Sequence, residues 1–151
     1  MATLVLTGQD TIIVNDEVVT GLATGTVGQV TLENDIAASQ TGKDGNSIIA
    51  YNASGKQATL ELHIIRGCHD DKRFNDLFNQ QKTGITNFVT LTGAVIKQLG
   101  DGKGNIEHDT TSLVDGFFLR GPDVQSNVEG DIAQAEVIWK FRFCDFQRVI
   151  G

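Results

Sequence analysis

In "QAEVIWKFRFCDF" the residues Ala135, Val137, Trp139, Phe141 and Phe143 fall on one face of an extended chain, with Glu136, Lys140 and Arg142 on the other. That period of two predicts a half-buried β-strand. "ATLELHII" alternates in the same way, Ala58, Leu60, Leu62 and Ile64 against Thr59, Glu61 and His63. "HDTTSLVDGFFLRG" reads as a further long strand in which Gly116 predicts a bulge or bend. Shorter strands are expected at residues 4–6, 11–14, 17–19, 29–32 and 88–99. Asn15 and Asp16, between "TIIV" and "EVV", predict a tight hairpin turn.

One segment, "RGCHDDKRFNDLFNQQKTG", reads as a helix. Phe74, Leu77 and Phe78 lie at helical spacing, Asp70 and Asp71 sit where a first turn favours negative charge, and Lys82 with Gly84 forms a stop. Asp70 or His69 is expected to cap it, and Cys68 to be a small buried residue leading into it. Seventeen glycines and the single proline, Pro122, complete a pattern of strands joined by glycine turns. The expected fold is mainly β, a single domain over residues 1–151 built as a sandwich or barrel-like sheet with one packed helix.

Residues 33–57, "ENDIAASQTGKDGNSIIAYNASGKQ", break the compact pattern, being polar and glycine-punctuated with only "SIIAY" able to form a strand. Two readings are open. The segment is either a surface loop with a short hairpin, or an extended arm whose apolar tip, Ile48, Ile49 and Tyr51, docks on another molecule.

The chain carries a net charge of −7, and its first 42 residues hold five acids (Asp10, Asp16, Glu17, Glu33, Asp35) and no lysine or arginine. Binding to nucleic acid by counterion release needs clustered basic residues. The longest basic cluster is Lys72 with Arg73, flanked by Asp70, Asp71 and Asp76, so sequence-specific nucleic-acid binding is not expected. No apolar run approaches the roughly 20 residues of a membrane helix, and no membrane association is expected. "MATLVLTGQD" has neither the basic region nor the apolar core of a signal peptide, which predicts folding in a cytoplasm, with Cys68 and Cys144 as thiols.

Cys68, His69, Asp70 and Asp71 are residue types that bind metals and carry nucleophilic catalysis. A zinc site needs three or four ligands at defined spacing. Cys68 and His69 are adjacent and diverge on any regular backbone, while His63, His108 and Cys144 form no second half-motif. A Cys–His nucleophilic pair would have to be assembled by the fold. Capping and dipole stabilisation, on the order of 1 kcal/mol, explain the cluster more simply. Gly100, Gly102 and Gly104 in "QLGDGKGNIEHD" lack the strand-to-helix context of a phosphate-cradling loop. No cofactor or catalytic residue is expected.

The hairpin "TIIVNDEVV", the arm at 33–57, the run "GKQATLELHIIRGCHDDKRFNDLFNQQKTG" and the closing "AEVIWKFRF" together resemble the tail tube proteins of contractile-tailed bacteriophages. Type VI secretion tube proteins are similar in design. The resemblance implies a non-enzymatic virion protein, assembled in the host cytoplasm, whose hexameric rings stack into a hollow tube. It implies a sheath protein outside, tape-measure protein and DNA in the lumen, and baseplate and terminator proteins at the ends. On that reading Ile48, Ile49 and Tyr51 join neighbouring rings, Glu107, Asp109 and Asp115 are candidates to face the lumen, and Lys72, Arg73 and Asp76 are candidates to contact the sheath or a neighbour. The alternatives are a secretion tube, and a small β-barrel enzyme or ligand-binding protein using Cys68 and His69.

Overall fold

The computed structural model describes residues 5–23, 27–124, 126 and 132–151. Its elements in chain order are strands β1 (Val5–Val14), β2 (Glu17–Val18), β3 (Gly28–Leu32), β4 (Ala37–Thr41), β5 (Ser47–Tyr51) and β6 (Ala58–Ile65), helix α1 (His69–Lys82), and strands β7 (Leu91–Gly100), β8 (Ile106–Arg120) and β9 (Glu136–Ile150). Seven strands form one antiparallel sheet in the order β2-β1-β7-β8-β9-β6-β3, and β4 pairs only with β5. The mainly β expectation with one helix holds. Residues 4–6 and 11–14 are not two strands, since β1 runs unbroken through both with a register shift between Leu6 and Asp10; Leu4 lies outside the described residues.

The alternating residues land where the period of two puts them. Leu60, Leu62, Ile64, Val137, Trp139, Phe141 and Phe143 are buried, and α1 lays Phe74 on them. Phe74 meets Trp139 and Phe141 edge-on, with ring centroids 5.9 and 5.3 Å apart. Such packing adds to the roughly 2–3 kcal/mol that burying a phenylalanine contributes. Asn15 and Asp16 both have positive φ, 54° and 66°, as a two-residue primed hairpin turn requires.

The sheet is strongly curled but does not close into a barrel. A Cβ added at Gly28 in β3 would meet the Ile12 side chain of β1 at 3.2 Å, so the two ends of the strand order approach each other. No ladder joins them among the described residues. A strap at residues 19–23 crosses the gap instead. Val19 N–H donates to Ile12 O of β1 at 2.8 Å, Ile65 N–H of β6 donates to Gly21 O at 2.8 Å, and Ala23 N–H donates to His63 O at 2.9 Å.

Gly116 does mark an irregularity, and it is larger than a local bend. Against β7, β8 carries one extra residue between Leu113 and Gly116, and Asp115 takes a φ of 56°. The inward face changes there: Phe118 and Gly116 are buried beyond the break and Leu113 before it, while on β9 the inward set passes from Phe143 to Phe146. Beyond this break, among the described residues, only β1, β7, β8 and β9 continue, forming a four-stranded extension ending near Val5, Gly100, Ile106 and Ile150.

Candidate functional site

The four residues with chemical potential at the start of α1 are brought to separate structural partners. Cys68, not Asp70 or His69, is the N-cap: its Sγ accepts from Asp71 N–H at 3.4 Å. Both aspartates are drawn away from the capping position. Asp70, 1% exposed, accepts from Thr20 N–H at 2.8 Å and Gly21 N–H at 2.9 Å through Oδ2, and from Arg73 at 3.2 Å through Oδ1. Asp71 accepts from Gly67 N–H at 2.8 Å and from the Trp139 indole N–H at 3.0 Å. The His69 ring turns to Glu17 at 2.8 Å. The Cys68 thiol and the His69 imidazole thus have different partners, and no group of three or more metal-ligating side chains forms among the described residues.

Burial of Asp70 opposes its ionisation. The N–H groups of Gly21 and Thr20 and the Arg73 guanidinium outweigh that effect and hold its pKa below the ordinary carboxylate value. Arg73 also donates to Val14 O at 2.7 Å and pairs with Glu17 at 3.2 Å. Of the three surface candidates on α1, Lys72 and Asp76 are exposed, whereas Arg73 lies half-buried against the β1–β2 hairpin.

Residues 33–57 form a built arm, not an irregular loop. "AASQT", which carries no apolar alternation, pairs with "SIIAY" over five residues, and Thr41 and Ser47 join hydroxyls at 2.8 Å near the tip. The root is pinned: Asn52 N–H donates to Ile36 O at 2.7 Å and Asn52 Nδ2 to Asp35 O at 2.9 Å. A Cβ at Gly55 would meet Ile36 Cα at 2.5 Å, so only glycine lets the two root segments pack. Ile48, Ile49 and Tyr51 are 77%, 74% and 74% exposed. Because Ile49 and Tyr51 point to one side of β5 and Ile48 to the other, the hairpin is apolar on both faces.

The four-stranded extension has two free edges. β6 pairs with β9 only as far as Phe143, so residues 144–150 have β8 on one side and no strand on the other among the described residues. β2 reaches only Ile13 and Val14 of β1, so residues 5–11 have β7 on one side and no strand on the other among the described residues. The edges are of equal length and lie on opposite sides of the same sheet.

On the core-side face of this extension, ions are paired across strands. Lys97 Nζ donates to Asp10 at 2.8 Å, and Arg148 meets Asp109 with two bonds of 2.8 and 2.6 Å. The Arg148 bond depresses the Asp109 pKa and raises that of Arg148. Of the three acidic lumen candidates, Asp109 is therefore ion-paired, while Glu107 and Asp115 are exposed. The sequence reading missed a further cluster outside the extension, on β6 and the first residue of β9. His63 Nδ1 lies 2.6 Å from Glu136 and Nε2 lies 3.1 Å from Glu61. Its signal was the side-by-side placement of Glu61 and His63 on one face of β6.

No protein-family model matches the chain, and no curated protein matches it in sequence.

Proposed function

We propose that the chain is a ring-forming structural subunit, the tail tube protein of a contractile phage tail. The observation that supports this best is the pair of free edges on the β1-β7-β8-β9 extension. Neighbouring strands in the extension are antiparallel throughout, so β9 of one copy and β1 of the next meet antiparallel as well. Such a contact is head-to-tail, and a head-to-tail contact closes into a ring when its rotation divides the circle. Pairing saturates edges that would otherwise be an aggregation hazard.

The arm then joins rings into a tube. An isolated two-stranded hairpin is marginal in water, and one with three large exposed apolar side chains gains by docking on a neighbour. Charge suits a conduit for DNA. A ring of six copies multiplies the net charge of −7 sixfold, and any share lining the lumen repels phosphate instead of binding it. Glu107 and Asp115 are the stronger nominees for that lining, because Asp109 is neutralised by Arg148. Lys72 and Asp76 on α1 offer contacts to the sheath.

Negative-stain microscopy of the purified protein, alone at high concentration and with its tail partners, tests the reading. Rings and stacked tubes are expected. A strictly monomeric protein under all these conditions would overturn it.

A further inference from the structure

The free edge of β9 is guarded by one of its own side chains. Gly151 and His108 exchange both backbone hydrogen bonds, at 3.0 and 3.2 Å. Counting back in twos along the unbroken β8–β9 register from that pair, the backbone groups of Phe146, Arg148 and Ile150 point away from β8, toward the free edge. The Phe146 N–H is nonetheless occupied: Asp145 Oδ1 accepts it at 2.9 Å.

We propose that Asp145 is a gate on ring formation, its carboxylate holding the first outward N–H that a backbone carbonyl from β1 of a second copy must take. The inference rests on the edge-to-edge reading of assembly above. Asp145 is half-buried and makes no ion pair among the described residues, so its carboxylate can turn to water when the competing carbonyl arrives. Opening exchanges one hydrogen bond for another. Pairing is therefore delayed and not forbidden, and a charge on the edge strand discourages partners of the wrong register. The location suits a gate, because Asp145 stands where β6 stops covering β9 and the free edge begins.

The test compares full-length wild type with Asp145→Ala and Asp145→Asn, following ring formation by sedimentation and Phe146 amide hydrogen exchange in dilute, unassembled protein. Asp145→Ala should lower the concentration at which rings appear by roughly tenfold, the effect of one charge-assisted hydrogen bond. Its Phe146 amide should exchange faster. Asp145→Asn keeps an acceptor oxygen but loses the charge, and should fall between wild type and Asp145→Ala in both readouts. An unchanged or higher threshold in Asp145→Ala overturns the gate, and a loss of subunit stability without a lower threshold assigns Asp145 to bulge support instead. If wild type and both variants never form rings, the edge-pairing reading itself fails and the gate falls with it.

Discussion

The Asp70 carboxylate lies 2.9 Å from the Gly21 N–H, so a single buried acid in the first turn of α1 fixes the strap that spans the gap in the sheet. Removing it strands two N–H donors and leaves the half-buried Arg73 with Glu17 as its one remaining acid among the described residues. Asp70→Ala is expected to cost about 3 kcal/mol of folding stability. Urea denaturation should show a lower midpoint with little change in slope.

The same contact sets a pH dependence. The folded-state pKa of Asp70 is lowered from 3.8, so its contribution is complete above the unfolded value and is lost as pH falls through the folded one. Wild-type stability should fall below about pH 4 more steeply than that of Asp70→Asn, which has no proton to gain there. Thermal unfolding from pH 6 down to pH 2 checks this, and parallel curves would contradict it.

Two adjacent residues at the break in β8, Asp115 and Gly116, should respond to substitution in opposite ways. A Cβ at Gly116 would run into the Phe143 ring and approach Leu91 O at 3.1 Å, so Gly116→Ala should destabilise by about 1–3 kcal/mol. Asp115 holds a φ of 56°, a conformation that favours glycine, and Asp115→Gly should be neutral or stabilising by up to about 1 kcal/mol. Melting temperatures of the two variants should move apart.

Arm and body should separate experimentally. Replacing Ile48, Ile49 and Tyr51 together by serine removes side chains that are almost wholly in solvent, so the subunit's unfolding midpoint should hardly change. Rings should still form, and tubes should not. Full-length tubes from this variant would show that the arm has another role.

Proline distinguishes the two sides of β9. At Arg148 it removes an outward N–H and the exposed ion pair to Asp109, a small loss to the subunit, whereas at Gln147 it removes a bond to β8. Arg148→Pro is expected to yield a folded monomer that forms no rings, seen as native circular dichroism with a single low-mass species in sedimentation. Gln147→Pro should destabilise the subunit itself.

The parts of this fold that were legible in sequence are those where burial writes a period. Trp139, Phe141 and Phe143 alternate because one face of β9 packs on Phe74, and α1 shows itself through Phe74, Leu77 and Phe78. "AASQT" stayed hidden because a strand with no buried face carries no alternation, and only its partner "SIIAY" is apolar. Gly116 announced a break in β8, but nothing near Cys144 announced that β9 would exchange faces opposite it. The acids at "CHDD" were placed correctly in the first turn, and Asp70 was misread as a cap. Their partners, Thr20 and Gly21 for Asp70 and Trp139 for Asp71, lie 50, 49 and 68 residues away, beyond what local pattern expresses.

The strap also carries a consequence for the order of events during folding. Its bonds to β6 and to α1 join segments 40 to 50 residues apart, whereas the β1–β2 and β7–β8 hairpins close locally. Contacts of long sequence separation form late, since the chain between them must be ordered first. Residues 19–23 should therefore lock only after α1 has docked, making Asp70 a reporter of completed subunits. β1 itself reaches β7 across a still longer separation, Ile12 to Val95, so the strand offered to a neighbour is also set in place late.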